Sequence, residues 1–414
     1  MKDGGEKKMN KSITHDDAHN SNQSEFLEIA KETVLDAASR CRNCNYCFTI
    51  CPLFQSTRGF MSQTPSGILQ SIKYAIKWDL INGKEKETLR DLLYSCTTCN
   101  GCVVRCKSKA TGIPILKAIE AGRKILREMM IGPLPQQRKP LQDLYRKGNP
   151  YGERPEKRFE WLEGIKVKRV PKEKADVLLY VGCTISYDQE LQSMGKNLIT
   201  VFDKLNIDFG IMEHETCCGD PALRMGDEAL FRELMNENIK SFKAAGVSQI
   251  VTASPHCFNT FLKEYQLGKQ EWAVQHYVEF LLNSLKNKKM VFKKKLPYTV
   301  AYHDACYLGR HNQIYSPPRE LLSMIPGINL VEMKMKMEES LCCGGGGGRM
   351  YAEVEEEPKL SHTRLHQAIE TGANVLASAC PWCLTMLQNA AKDLQVTDKI
   401  KVMDITEILK ESME

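Results

Sequence analysis

No stretch of this 414-residue chain is apolar for long enough to cross a bilayer, because a membrane helix needs about 18 or more consecutive apolar residues. The best run, Val177 to Val181, has the length of a strand. The first 25 residues are polar and charged with no apolar core, which argues against a secretory signal and suggests a disordered leader over residues 1–30. Aromatic residues are few, at 7%, and the formal charge of +6 is mild. The densest basic run (Lys286, Lys288, Lys289, Lys293, Lys294, Lys295) has only Phe292 interleaved and no nucleic-acid-binding spacing beside it. Nucleic acid is therefore not an expected partner, and the run reads as a solvated inter-domain linker or a face for an acidic protein. Phosphate-loop, Ser–His–Asp and flavin fingerprints are missing too, which places two-electron chemistry on another chain. A chain that is 42% hydrophobic and 26% charged suits a globular, cytoplasmic protein. At roughly 150 residues per domain it should form about three units.

What the chain has is cysteine. Seventeen of them, an odd number in a chain expected to stay inside the cell, argue for metal ligation or redox chemistry over a disulfide framework. Cys41, Cys44, Cys47 and Cys51 follow the spacing C-x2-C-x2-C-x3-C, with Pro52 next. Cys96, Cys99, Cys102 and Cys106 repeat it, with Lys107 where the proline would stand. This is the bacterial ferredoxin rhythm, in which three close thiolates wrap one cubane and the fourth reaches the other. Cys41, Cys44 and Cys47 should therefore partner Cys106, and Cys96, Cys99 and Cys102 should partner Cys51. Two structural zinc sites are the alternative for such thiolate pairs. Between the runs, Thr64-Pro65-Ser66 marks a helix start and Ile68, Ile72, Ile76 and Leu80 recur every four residues. Pro114 opens a second helix carrying Ile115, Ile119, Gly122, Leu126 and Met129 on one face. These features predict a helical two-cluster domain over 31–130, followed by a proline-rich, charged linker or arm over 131–174.

The other nine cysteines lie in an internal repeat. Cys183 is echoed by Cys306, each at the end of a strand-like run. Cys217-Cys218-Gly219 is echoed by Cys342-Cys343-Gly344, and Ser254-Pro-His-Cys257 by Cys380-Pro-Trp-Cys383, at offsets of 123, 125 and 126 residues. One domain has been duplicated, over 175–290 and 296–414. Short β-branched runs ending in cysteine, with helical stretches between, predict α/β units with their sites at strand carboxyl ends. The fold class is thus α+β multidomain: a helical ferredoxin domain, then a duplicated α/β cysteine-rich domain.

Cysteine, Cys-Cys-Gly and Cys-x-x-Cys, doubled behind a two-cluster ferredoxin domain, resemble the D-type heterodisulfide reductase family, with its cysteine-rich CCG domains, over roughly residues 35–400. Tyr302 to Asn312, Pro318-Arg319-Glu320 and Cys342-Cys343-Gly344 look especially like members encoded beside electron-transfer flavoproteins. The resemblance implies a non-cubane 4Fe–4S cluster on Cys306, Cys342, Cys343, Cys380 and Cys383, besides two cubane 4Fe–4S clusters. The first set departs from the pattern, with Ser254 where a fifth cysteine belongs. Cys183, Cys217, Cys218 and Cys257 are then left to hold a 4Fe–4S cluster, an altered cluster, zinc or nothing. The expected function is an iron–sulfur electron-transfer subunit of an oxidoreductase complex. Its expected partners are a flavoprotein (an electron-transfer flavoprotein or an FAD-linked dehydrogenase) and a membrane- or quinone-linked acceptor, through which any membrane association would arise. The alternatives are a catalytic disulfide reductase of the CoM-S-S-CoB type and a zinc-stapled scaffold. Gly344, Gly345 and Gly346, within a five-glycine run, should let backbone approach the cofactor with N–H groups aimed at sulfur. His303, Arg310 and His311 are candidates for a catalytic role, and His256 for a donor or proton carrier beside its cysteine.

Overall fold

The computed structural model describes residues 15–57, 59–106, 112–269, 271–288, 292–352 and 357–414. Lys107, Lys289 and the first 14 residues of the expected leader lie outside them. The rest of that leader is corrected: a helix spans His15–Arg40. Ala30, Val34, Ala37 and Ala38 are buried on one side of it, a spacing of i, i+4, i+7 and i+8 that makes an apolar stripe. That stripe packs on the helix Ile115–Glu128.

Thr64 caps the helix Pro65–Lys77 by accepting from Gly67 N at 3.1 Å. Ile68 and Ile72 are fully buried on it. The fourth residue of the expected series, Leu80, falls beyond the helix end and is exposed. The 131–174 arm is structured as well, with a helix at Pro135–Lys147, a 3₁₀ turn at Pro155–Leu162 and a strand, β1, at Lys168–Val170. Buried Leu141, Leu144, Trp161 and Leu162 anchor it in the core, so apolar burial overrides its proline and charge content.

The duplicated domain builds two parallel sheets. The first contains β2 (Val177–Tyr180), β3 (Phe209–Met212), β4 (Gln249–Thr252) and β5 (Ala273–His276), in the order β1-β3-β2-β4-β5. The second contains β6 (Thr299–Tyr302), β7 (Asn329–Val331), β8 (Val375–Ser378) and β9 (Lys401–Asp404), in the order β7-β6-β8-β9. Apart from β1, the orders are identical, and every pairing is parallel. Alternation along β2 ties the molecule together. Val177, Leu179 and Val181 join a core shared with the second repeat, whereas Leu178 and Tyr180 join a core shared with the ferredoxin domain. Neighbouring strand residues point to opposite faces, so the first repeat is sandwiched between the other two units. The basic stretch is held too: Lys286 pairs with Glu320 and Lys294 with Glu411. Among the described residues no helix is long and apolar enough to cross a membrane.

Candidate metal centres

The two ferredoxin-type runs fold alike. The residues flanking the second cysteine are left-handed in both: Asn43 and Asn45 (φ 50° and 56°), and Thr98 and Asn100 (φ 51° and 63°). Asparagine visits this region readily, but a β-branched residue does not. Thr98 is kept there by its N–H, which donates to Cys96 Sγ at 3.4 Å, and by its hydroxyl, 3.0 Å from Tyr307 Oη. Cys47 is pushed up to about 11 by burial, with Cys41 and Cys106 adding to the rise. Cys51 is raised by burial and then by Cys99 and Cys96. The structure thus draws Cys47 toward Cys41 and Cys106, and Cys51 toward Cys96 and Cys99. Cys102 is buried beside Cys96, Cys99 and Cys51, while Cys44 is exposed.

In the second repeat all five cysteines are buried at the carboxyl ends of β6, β7 and β8. Their thiols are successive neighbours, from Cys306 to Cys342, Cys343, Cys383 and Cys380. The set has two outside neighbours. Cys342 packs against Cys99 of the ferredoxin domain. Cys380 lies beside His256 of the first repeat. Burial works to raise the Cys380 thiol, but the neighbouring Cys383 and His256 outweigh it and hold it down at about 5. His256 is held in turn by Asp220, whose Oδ2 is 3.0 Å from its Nδ1.

The four thiols of the first repeat are neighbours in the same order, Cys183 to Cys217, Cys218 and Cys257. Its surroundings differ. Buried Arg158 donates to Cys183 Sγ at 3.5 and 3.6 Å and pairs with Glu215 at 2.6 Å. Glu215 also accepts from Val181 N and Gly182 N at 3.1 and 2.9 Å. Ser254 Oγ accepts from His256 N at 3.3 Å, capping the helix Pro255–Asn259. The hydroxyl does a cap's work at the position where the second repeat has Cys380, whose side chain makes no capping bond.

The donor sets suit iron–sulfur clusters in kind, being thiols gathered four or five at a time. A second observation points the same way. Tyr302 Oη, His303 Nε2 and Arg364 Nη2 are buried without a hydrogen-bond partner. All three sit by the second set: Cys383 acts on Tyr302 and on Arg364, and His303 lies with Cys343 and Cys383. Buried polar groups are normally paired, so donors left open around one thiol set suit a bound group with sulfur acceptors.

Gly344 N donates to Cys342 Sγ at 3.4 Å, as expected of the glycine run. Gly346 and Gly347 serve another purpose. A Cβ there would meet Thr97 O at 2.3 Å and Cys96 O at 2.4 Å, so these glycines let the second repeat press against the ferredoxin loop. Of the residues expected near the chemistry, His303 reaches the second set. Arg310 donates from Nε to Cys99 O at 2.7 Å and from Nη1 to Ser340 O, bridging the ferredoxin loop and the second repeat. His311 faces Thr98 O with Nε2 at 2.9 Å and stacks on Tyr307, so its ring is engaged with the domain junction. Sequence reasoning missed Arg158, Glu215, Arg364 and Arg123. Arg123 is fully buried and donates to Leu93 O, Cys96 O, Arg224 O and Gly347 O, touching all three units. In the sequence each is one charge among many, and none sits at a telltale spacing.

A ferredoxin-type helical domain set against a duplicated parallel α/β domain, with thiols gathered at the strand ends, defines an iron–sulfur protein of the oxidoreductase class. Residues 37–110 match the 4Fe–4S dicluster domain, and residues 177–262 and 300–388 match the cysteine-rich CCG domain. The D-type polypeptide of the dihydromethanophenazine:CoB–CoM heterodisulfide reductase of Methanosarcina barkeri is 30% identical over 392 residues, covering 90% of this chain and 93% of that one. The chain belongs to this D-type heterodisulfide reductase family. The probable iron–sulfur-binding oxidoreductase FadF of Bacillus subtilis is 34% identical, covering 78% of this chain and 46% of that one. The EtfAB:quinone oxidoreductase of Syntrophomonas wolfei is 31% identical, covering 81% and 49%. The chain spans about half the length of these two relatives. A hypothetical protein from Helicobacter pylori shares the fold, with a TM-score of 0.51 at 14% identity over 96% of this chain and 75% of that one.

Proposed function

We propose that this chain is the electron-transfer subunit of a heterodisulfide-reductase-like complex, relaying electrons between a flavoprotein partner and the cysteine set of the second repeat. Clusters held by the thiols would supply one-electron transfer. The residues Cys41, Cys44, Cys47 and Cys106 would hold the outer cubane and Cys51, Cys96, Cys99 and Cys102 the inner one. Cys306, Cys342, Cys343, Cys380 and Cys383 would hold a non-cubane terminal centre.

The observation that carries this reading is the packing of Cys99 with Cys342 and Cys306 in one buried cluster. It joins the inner ferredoxin set to the second repeat's set with no residue between. Exposed Cys44 leaves the outer set facing the surface, where a flavoprotein such as an electron-transfer flavoprotein can dock. Buried Arg310 and Arg123, bonded across the domain junction, hold the two sets in register and keep water out. A quinone-linked protein is the acceptor that the similarity to an EtfAB:quinone oxidoreductase favours. The capping role of Ser254 supports the relay over the disulfide-reductase alternative, because its oxygen is committed to a helix N–H.

The test is iron, sulfide and zinc analysis of anaerobically purified protein, with stopped-flow mixing against reduced electron-transfer flavoprotein. About 12 irons, at four per cluster, with rapid bleaching on mixing, is the expected result. Fewer than about eight irons, or an iron-loaded chain that no reduced flavoprotein bleaches, overturns the reading.

A further inference from the structure

His303 is 1% exposed, and its Nε2 has no hydrogen-bond partner. That ring, Cys343 and Cys383 offer atoms that all lie within 4.8 Å of one another. By proximity alone the three would make a His–Cys–Cys metal site, and His303 would be a further ligand of the second set.

The other ring nitrogen decides against that. Arg364 Nε lies 3.0 Å from His303 Nδ1. A guanidinium has N–H donors and no acceptor, so Nδ1 must present its lone pair to it. An imidazole with a lone pair on Nδ1 carries its proton on Nε2. Ligation through Nε2 would move that proton to Nδ1 and set two N–H groups against each other. Arg364 cannot easily turn aside. It is fully buried, and its Nη1 donates to Met335 O at 2.7 Å and to Gln367 Oε1 at 2.8 Å.

We infer that His303 is an N–H donor held toward the group bound at Cys343 and Cys383, and that Arg364 is the positioning residue that fixes its tautomer and bars it from ligation. The inference rests on the proposal that the second set holds an iron–sulfur centre. Its first consequence is for potential. A hydrogen bond to a cluster sulfur offsets the charge of the added electron and makes reduction easier. The second is an asymmetry between the repeats. The residue that follows β2, where His303 follows β6, is Val181, which offers no side-chain donor. The donor to the first set comes instead from outside the strand, the Arg158 guanidinium on Cys183 Sγ, so the two sets are tuned from different positions.

The experiment uses the full chain, purified anaerobically, as wild type, His303→Phe, His303→Gln and Arg364→Met. Iron content, the midpoint potential of the second-repeat centre and its nitrogen hyperfine couplings are measured. His303→Phe should keep its iron and lower the reduction equilibrium constant about tenfold, or ~59 mV for one electron. His303→Gln, which keeps an N–H, should recover part of that shift. Arg364→Met releases Nδ1 and should bring out a strong coupling from directly bound nitrogen that wild type lacks. Such a coupling in wild type, or an unchanged potential in iron-replete His303→Phe, overturns the inference. If His303→Phe does not fold, the Arg364→Met spectrum decides, and a spectrum identical to wild type counts against the inference. Wild type without iron in the second set defeats the relay proposal itself, a result separable from these.

Discussion

The two cysteine-rich repeats share a strand order and a place for every cysteine-bearing turn, yet they finish their sites in opposite ways. The first closes on itself. Arg158 and Glu215 neutralise each other beside Cys183, Ser254 caps a helix, and Tyr180 donates to Thr216 O. In the second, Tyr302 stands where Tyr180 does, but its hydroxyl is left open, together with His303 Nε2 and Arg364 Nη2. The second set also has a fifth cysteine and a ferredoxin thiol, Cys99, packed against it. Duplication fixes where thiols gather, whereas the polar groups around them decide whether a site is completed by protein or by something bound. The first repeat still serves the second, because its His256, buttressed by Asp220, reaches across to Cys380.

The sharpest way to break this contrast is to remove the ion pair that completes the first site. Arg158→Leu leaves Glu215 charged and buried and should cost about 3–5 kcal/mol by chemical denaturation. A loss below about 1 kcal/mol, the scale of an exposed pair, would mean that the site does not depend on it. Next in size is the junction of the second repeat with the ferredoxin loop. Gly347→Ala puts a Cβ against Cys96 O at a φ of 66°. Overpacking together with left-handed strain should cost about 2–4 kcal/mol. The corresponding change at Gly372, where nothing lies within 4 Å, adds only the strain term.

Titration offers a finer comparison. His276 and Asp404 occupy matching ends of β5 and β9, paired with Thr252 and Ser378. Burial lowers His276 to about 3, so it is neutral in the fold and must be protonated on unfolding in acid. Its contribution is present above the ordinary histidine value near 6.5 and is lost as pH falls toward 3. Burial raises Asp404 to about 6, outweighing the bonds from Thr406 and Tyr277, so its contribution is full below about 4 and is lost as pH rises through 6. Between pH 4 and 6 the two oppose each other. His276→Gln should make stability rise on acidification relative to wild type, and Asp404→Asn should make it fall, each by up to about 1.4 kcal/mol per pH unit. Parallel curves for either variant and wild type would show that its group is not buried as described. The smallest expected effect separates the matching cap positions. Ser254→Ala should cost about 1 kcal/mol and leave iron content unchanged. Cys380→Ala should lose about four irons per chain while costing the metal-free chain less. Iron loss in Ser254→Ala would show that the serine is a ligand.

Much of this was legible in the chain itself. Spacing drew the cysteines into ferredoxin runs and a repeat, because a cluster demands thiols at intervals that a short loop can supply. Strand-end positions followed from β-branched runs that stop at cysteine. The arm was misjudged because Trp161 and Leu162 sit among charges and prolines, and no periodicity announces a 3₁₀ turn or a three-residue strand. The helix from His15 was missed for a related reason: among the residues whose burial is described, its buried face is Ala30, Val34, Ala37 and Ala38, mostly alanine.

The sequence by itself thus determined the thiol sets, their number and the duplicated fold, since each depends on residues close together in the chain. Only the tertiary structure decided that Cys99 meets Cys342, that His256 lies beside the other repeat's Cys380, and that Arg364 donates to His303 Nδ1. The first two contacts join segments from different units, and the third joins residues 61 apart within the second repeat. The units meet because the faces of β2 are buried against the ferredoxin domain and the second repeat and the glycine run presses on the ferredoxin loop, a packing that local spacing does not encode.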